Sequence, residues 1–210
     1  MDGVRPLPAD EALLEGRCAV LAVGSNADPD WLRAKLLRHE VSPVVPMTRA
    51  RVRGVRAGHS AHVSVPGFIP AAPYDAPGST ARLWVEWFDS EQLEAIDRTE
   101  PNYDRCALDL GRYEVELVGS GERLTACAVY VGHHGVLTDA AGQVLELRPQ
   151  ADLLDELLHG DLALAELAGP TPADWVAATS ASAHLRQELK ARFEAAGRVA
   201  GDGLGFTAES

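Results

Sequence analysis

The stretch Cys18-Ala19-Val20-Leu21-Ala22-Val23-Gly24-Ser25-Asn26 decides the fold prediction. Its first six residues form an unbroken apolar run, which is typical of a strand buried on both faces. Asp28 can cap a helix that begins at Pro29, because a proline at the first helical position loses no hydrogen bond. The pattern therefore predicts a buried strand, a polar glycine loop and a helix. The predicted apolar stripe of this helix comprises Leu32, Leu36 and Leu37.

The loop Gly24-Ser25-Asn26 is the first candidate site. Backbone N–H groups at the start of a helix lack intrahelical partners, and the helix dipole adds positive potential there. Such a loop can hold a carboxylate or another anion. An ordinary strand-to-helix turn has the same composition, because Gly, Ser and Asn are common turn residues.

A second strand and helix follow, with the strand predicted over residues 83–88. Asp89 and Gln92 form a capping pair for the helix. Pro101 ends it, because the residue before a proline is pushed toward extended geometry. That residue is Glu100, and the negative end of the helix dipole disfavours a charged carboxylate there. Glu100 is therefore a candidate general base, with a solvated helix-end glutamate as the alternative interpretation.

Three other segments carry fold predictions. The proline-rich residues 41–80 predict short strands with long irregular connections. Alternating apolar residues and a glycine turn within 112–131 predict a β-hairpin. The C-terminal third predicts helices, one with apolar positions over 153–158 and one that begins at Thr171. The second of these carries Trp175, Leu185, Leu189 and Phe193.

Two of these motifs together resemble the gamma-glutamylcyclotransferase-like superfamily. Residues 20–26 are similar to the family's strand that ends in Tyr-Gly-Ser-Asn. Residues 93–100, with Tyr103 and Arg105, resemble its pattern Leu-x-x-Leu-Asp-x-x-Glu followed by Tyr-x-Arg. The order and the separation of the two motifs fit the family, and the resemblance covers residues 18–131.

The resemblance implies an α+β fold, with a small mixed, mostly antiparallel barrel-like sheet and surrounding helices. Residues 1–210 would form a single domain. Its cyclotransferase-like core would span 18–131, and a helical C-terminal extension would span 149–196.

The resemblance also implies an activity. Family members cleave a gamma-glutamyl amide by attack of the glutamyl group's own α-amine on its γ-carbonyl, which releases 5-oxoproline and an amine. No metal or cofactor takes part. By this resemblance Glu100 would be the catalytic acid/base. The substrate-binding residues would be Val23, Gly24, Ser25, Asn26 and Tyr103.

Two departures from the family pattern keep other functions open. Val23 stands where the family has a tyrosine, and the family's usual Gly and Tyr are absent from residues 83–88. Glu86 in that strand is an unexpected acid and a reserve acid/base. The alternative function is a non-catalytic small-molecule binding or interaction protein on the same fold. An enzyme of altered chemistry in the same cavity is a third possibility.

Three other groups of polar residues are candidate sites of a different chemistry: the histidines, Ser25 and a run of arginines. His133-His134, His59 and His62 could contribute to a metal site, but adjacent histidines point apart on a strand and no carboxylate lies at ligand spacing. We therefore predict no metal. Ser25 lacks the Gly-x-Ser-x-Gly elbow of many hydrolases. A basic island could steer an anionic substrate or simply form one solvated strand face. This island comprises Arg49, Arg51, Arg53 and Arg56.

The composition limits the partners. The chain has 19 Lys and Arg against 31 Asp and Glu, and its formal charge of −12 repels phosphate backbones and anionic lipids. We expect no nucleic-acid or membrane partner. Cys18, Cys106 and Cys127 form no Cys-x-x-Cys pair, which favours reduced thiols. The N-terminus has no apolar leader. These features favour a cytoplasmic location. The resemblance implies that the protein, a monomer or homodimer, acts on a small gamma-glutamyl compound.

Overall fold

The computed structural model describes residues 13–206. The strands are β1 (Cys18–Ala22), β2 (Met47–His59), β3 (Ala71–Phe88), β4 (Tyr103–Ala107), β5 (Val115–Leu117), β6 (Ala128–Gly132), β7 (Val136–Leu137) and β8 (Val199–Ala200). The helices are α1 (Pro29–Arg38), α2 (Ser90–Thr99), α3 (Gln150–Gly160), α4 (Leu162–Ala168), α5 (Pro172–Ala181) and α6 (Ala183–Ala195), with a short 3-10 turn at Ser25–Ala27.

Six strands form one sheet, in the order β4-β6-β1-β3-β2-β5. Strand β1 runs antiparallel to β3 and parallel to β6, and the pairs β2–β5 and β4–β6 are antiparallel. The predicted class, α+β with a mixed, mostly antiparallel sheet and surrounding helices, is confirmed. Within residues 13–206 the sheet is open rather than closed into a barrel, because β4 and β5 are edge strands.

Alternating side chains of β1 build a core on both faces of this sheet. Ala19 and Leu21 pack with Val85 and Val129 on one face, whereas Val20 packs on the other face against α1 and α2. We call the second group the helix-side cluster. Its buried members are Val20, Leu32, Leu36, Phe88, Ala95, Ile96, Ala128 and Tyr130.

The register between β1 and β3 places Glu86. Val20 lies opposite Glu86, and Cys18 lies opposite Phe88. Directly opposed residues share a face of the sheet. Glu86 therefore projects toward the helix-covered side, together with Val20 and Phe88.

The predicted start of α1 is confirmed, and its predicted stripe is wrong at one position. The Asp28 side chain caps the helix, and Pro29 is its first residue. Leu32 and Leu36 are buried, but Leu37 is 50% exposed. The reason is helical geometry: Leu32 and Leu36 are four residues apart and lie on one face, whereas Leu37 is rotated about 100° from Leu36.

Residues 41–80 contain the long strand β2 and the first ten residues of β3 instead of the predicted short strands. Strand β2 has 13 residues and β3 has 18, although Pro73 and Pro77 lie within β3. A proline removes only its own N–H donor from the ladder. Composition alone therefore overstated the irregularity of this segment.

The predicted hairpin over 112–131 is correct only at its turn. Leu117 N–H donates to Glu122 O, and Leu124 N–H donates to Val115 O, so the chain does reverse locally. Strand β5 pairs with β2, however, and β6 pairs with β1 and β4. Residues 128–131 are all buried, and a central position in the sheet supplies that burial.

The described chain forms two compact units. The first contains the described residues up to 56, residues 73–133 and the described residues from 203, and the second contains 57–72 and 134–202. In the second unit the indole of Trp175 donates to Gly67 O at 3.1 Å. Gly67 has a φ of +91°, and a Cβ there would lie 2.8 Å from Val176 O, so this approach needs glycine.

Four helices, α3 to α6, lie in the second unit. Thr171 caps α5, as predicted. The single helix predicted after it is divided in two, because Ser182 caps a separate helix α6 through the N–H of Leu185. None of the helices within residues 13–206 combines the length and the apolar character that crossing a bilayer needs.

The two neighbouring leucines of α1 provide a test of its buried face. We expect Leu36→Ala to lower the free energy of unfolding by about 2–5 kcal/mol, because it leaves a cavity in the helix-side cluster. Leu37→Ala is the matched control and should change it by less than about 0.5 kcal/mol. Urea denaturation followed by circular dichroism measures both values. Equal losses in the two variants would show that the face is misassigned.

Candidate functional site

Glu100 lies in a tight turn directly after α2. Its N–H donates to Asp97 O at 3.2 Å, and the N–H of Tyr103 donates to Glu100 O at 3.0 Å. Its carboxylate meets the loop after β1, because Asn26 Nδ2 donates to Glu100 Oε1 at 3.3 Å. The structure thus brings together residues from the two sequence motifs that are 74 positions apart.

Lys35 of α1 connects these two groups. Its Nζ donates to Glu100 Oε1 at 2.5 Å and to Asn26 Oδ1 at 2.6 Å, and it lies 3.5 Å from Ser25 Oγ. The side chains of Lys35 and Glu100 are only 14% and 15% exposed. Water and salt therefore screen this ion pair less than a surface pair.

Sequence reasoning missed Lys35. A lysine in the last turn of a helix is an ordinary solvent-facing residue that complements the helix dipole. One feature of the sequence could have indicated its role: Lys35 lies three residues after Leu32 and therefore beside the buried stripe of the helix. A lysine stem there can cover apolar surface and bring the ammonium to an interior carboxylate.

The two carboxylate oxygens of Glu100 have different environments. Oε1 accepts hydrogen bonds from Lys35 and Asn26. Oε2 has no hydrogen-bond partner in the part of the chain that the structure describes. One oxygen is therefore held in place, and the other can accept a proton or a hydrogen bond from a ligand.

Glu86 is a second, fully buried acid of this site. It has no exposed surface, and neither carboxylate oxygen has a hydrogen-bond partner among residues 13–206. Burial raises the pKa of Glu86 well above its usual value; the positive charge of Lys35 opposes this effect, and the negative charge of Glu100 adds to it. An unpaired buried carboxylate is costly when ionised, so the protonated form is favoured.

The other acidic residue of the second motif, Asp97, has a structural role. Arg105 donates to both of its carboxylate oxygens, at 2.9 and 3.0 Å, and the Tyr130 hydroxyl donates to one of them at 2.6 Å. Burial alone would raise the pKa of Asp97, but these hydrogen bonds and the charge of Arg105 lower it overall. This clamp ties the end of α2 to β4 and β6, and so positions the turn that carries Glu100.

Two further predicted site residues lie in the hydrophobic clusters. Tyr103 is half-buried and packs against the helix-side cluster. Val23 is half-buried and packs against the cluster on the other face of the sheet, which contains Val85 and Val129. Tyr103 therefore borders the same cluster as α1 and α2.

His59, His62 and His133 each have a polar partner. His59 Nε2 accepts the N–H of Arg148 at 3.1 Å, and burial, aided by the charge of Arg148, lowers the pKa of His59 to about 4. Ser60 Oγ lies 2.7 Å from His62 Nδ1, and His133 lies 3.0 Å from Asp104. Over residues 13–206, no three His, Cys, Asp or Glu side chains are grouped in a way that could hold a metal ion.

Comparison with known proteins identifies weak structural similarities. No known family model and no curated protein matches the sequence. A gamma-glutamyl cyclotransferase is 14% identical, with a TM-score of 0.47 over 83% of this chain and 99% of its own. An AIG2-like protein from Mus musculus is 16% identical, with a TM-score of 0.42 over 64% of this chain and 98% of its own. A protein from Arabidopsis thaliana is 17% identical, with a TM-score of 0.45 over 73% of this chain and 89% of its own. Similarity at this level does not establish a common activity.

The buried acid Glu86 should make stability depend on pH. Its pKa is raised in the folded state, so the folded protein keeps a proton that the unfolded chain releases above its ordinary value of 4.5. The free energy of unfolding should therefore fall as pH rises from that value toward the folded-state pKa, by up to about 1.4 kcal/mol per pH unit.

Glu86→Gln should remove this contribution, because the amide imitates the protonated acid. We expect the variant to gain stability relative to the wild-type protein as the pH increases. Urea denaturation at several values between about pH 5 and pH 8 measures the difference. Parallel pH profiles for the two proteins would show that Glu86 is ionised in the folded state.

Proposed function

We propose that this protein is an enzyme of the gamma-glutamyl cyclotransferase type, which cleaves a gamma-glutamyl amide by intramolecular aminolysis to release 5-oxoproline and an amine. The contact between Asn26 and Glu100 is the main support for this proposal. It joins the two motifs that carry the family resemblance, and it places a shielded carboxylate beside the predicted ligand loop.

Glu100 acts as the general base and then as the general acid. Its Oε2 takes a proton from the substrate's α-ammonium, which leaves a neutral amine. This amine attacks the γ-carbonyl and closes the five-membered ring. Glu100 then delivers the proton to the leaving nitrogen as the amide bond breaks, which regenerates the carboxylate. The ring nitrogen loses its second proton through this carboxylate to the released amine, which departs as an ammonium.

The loop Gly24-Ser25-Asn26 holds the negative charge of the substrate. Its N–H groups lie at the start of a 3-10 turn that leads into α1. Backbone donors in this position suit the glutamyl carboxylate or the oxyanion that forms on the γ-carbonyl. The ammonium of Lys35 lies beside Ser25 and adds positive charge at the loop.

Lys35 is a positioning residue in this mechanism. It binds Oε1 of Glu100 and leaves Oε2 for the substrate's ammonium. It also holds Asn26, so one ammonium sets the distance between the base and the loop. Glu86, favoured in its protonated form, cannot serve as a base in that form and stays a reserve acid.

The proposal needs no metal and no cofactor, because the substrate supplies its own nucleophile. We propose a small gamma-glutamyl compound as the partner, and a monomer or homodimer in the cytoplasm. A screen of gamma-glutamyl peptides, amino acids and polyamines would identify the leaving amine.

One observation favours a non-catalytic binding protein as the second candidate. Glu100 is already paired with an ammonium from its own chain, at 2.5 Å. A substrate ammonium would have to share the carboxylate with Lys35. A protein that binds gamma-glutamyl compounds but releases no 5-oxoproline from any of them would support this candidate instead.

Glu100→Gln separates the two candidates. The amide keeps the shape of the side chain but cannot accept the proton, so kcat should fall by about 10²–10⁴-fold. KM should change much less, because the loop amides are untouched. The measurement is 5-oxoproline release from the best substrate of the screen.

Two matched variants complete this experiment. Glu94→Gln changes an exposed carboxylate on the same helix and should leave turnover unchanged. Glu86→Gln imitates a protonated acid and should retain most of the activity. Full activity in Glu100→Gln, together with its loss in Glu86→Gln, would assign the base to Glu86 instead.

Lys35→Met tests the positioning role. Loss of the ammonium frees Glu100 and Asn26 to move, and a misplacement of about 1 Å can lower kcat/KM on the order of 10²-fold. Lys35→Arg should restore part of the loss, because a guanidinium can bind the same carboxylate. Lys190→Met removes a lysine of α6 and is the control. Higher activity in Lys35→Met would mean that Lys35 competes with the substrate.

A further inference from the structure

The first unit contains a cavity of about 380 Å³ that the proposed function does not use. The polar residues that line it are Arg53, Asp75, Ser79, Thr80, Arg112 and Tyr113. We propose that this cavity is a binding site for a small organic anion that carries one carboxylate or phosphate group. None of its lining residues belongs to the proposed catalytic site, so the two proposals stand or fall separately.

The first argument comes from the basic island of β2. Arg49 lies over the ring of Trp84, with its guanidinium carbon 5.0 Å from the centroid, and Arg51 donates to Glu116 at 3.0 Å. Arg53 lines the cavity and forms no ion pair within residues 13–206. The island is therefore not one uniform solvated face, and one of its charges is left for a ligand.

A second arginine is held in a defined orientation at the cavity. Arg112 Nη2 donates to Asp75 Oδ2 at 2.6 Å, and its guanidinium carbon lies 5.0 Å from the ring centroid of Tyr113. Asp75 neutralises Arg112, so the lining carries one net positive charge, that of Arg53. The cavity therefore has one uncompensated positive charge with which one anionic group of a ligand can pair.

A buried hydroxyl group at the cavity lacks a partner among residues 13–206. Ser79 Oγ is buried and forms no hydrogen bond within the described residues. Burial, a hydrogen bond to Asp75 and the negative charge of that carboxylate raise the pKa of Tyr113, which keeps its hydroxyl protonated. A buried hydroxyl without a partner is rare in folded proteins, and an oxygen atom of a bound anion would supply an acceptor for Ser79.

The backbone holds Tyr113 in this position. Gly54 has a φ of +79°, and a Cβ at that residue would lie 3.1 Å from the Tyr113 ring. A glycine is therefore required for β2 to approach the ring so closely. The volume lies near the lower end of the range for metabolite pockets, roughly 300–1,000 Å³. The chain as a whole has a formal charge of −12, so the positive charge of this lining is a local feature that differs from the rest of the protein.

An NMR titration of the full chain tests the proposal. Inorganic phosphate and acetate are added separately at constant ionic strength, and backbone amide shifts are followed. We expect saturable shifts at Gly54, Ser79 and Tyr113 with at least one probe. The probe with the lower dissociation constant shows whether the site prefers a phosphate or a carboxylate group. Absence of saturable shifts at these amides with both probes would overturn the proposal.

Variants give the proposal a second test. Arg53→Ala should weaken binding of the preferred probe by about tenfold or more, because it removes a charged hydrogen-bond donor. Ser79→Ala should weaken it less. Arg51→Ala is the matched control and should leave the dissociation constant unchanged. An unchanged dissociation constant in Arg53→Ala, with amide shifts elsewhere as in the wild-type protein, would also overturn the proposal.

Discussion

The ammonium of Lys35 is the interaction on which the candidate site depends. It binds the loop after β1 through Asn26 and the turn after α2 through Glu100, so one cation joins two parts of the sequence. The helices next to this loop and this turn, α1 and α2, pack on one face of the sheet through the helix-side cluster. Hydrophobic packing brings the backbones together, and the ion pair then sets the distances between polar atoms. A shift of α1 would change the packing and the site together.

Charge burial is the main cost of this arrangement. Three titratable groups lie close together on the helix-covered face, and only Lys35 and Glu100 form an ion pair. Glu86 is left without a hydrogen bond, and its carboxylate is stabilised by protonation. A fully apolar residue at that position would avoid this cost, so Glu86 is a feature that packing does not explain. Perturbed acids of this kind are concentrated at functional sites.

In the second motif, one acid supports the fold and the next acid faces the candidate site. Asp97 accepts hydrogen bonds from Arg105 and Tyr130, and these bonds anchor the end of α2 to the sheet. Glu100, three residues later, is left to face the loop. Rigid support of this kind suits the proposed role of Glu100 in proton transfer, because small displacements of the reacting atoms are costly.

The sequence by itself determined the features that depend on neighbouring residues. Asp28 caps α1, Asp89 and Gln92 form a capping box, and Glu100 follows the end of α2. Each of these is decided within about four residues, where hydrogen bonding and proline geometry act directly. They made the loop and Glu100 predictable as separate features.

Only the tertiary structure decided which of these features meet. The sequence of α1 did not distinguish Lys35 from a surface lysine. The environment of Glu86 follows from the pairing of β1 with β3, which the sequence did not predict. The strand predicted to pair with its neighbour in a hairpin instead lies between β1 and β4. The physical reason is that burial and long-range pairing are set by the whole core, whereas a single sequence records the local preference of each segment.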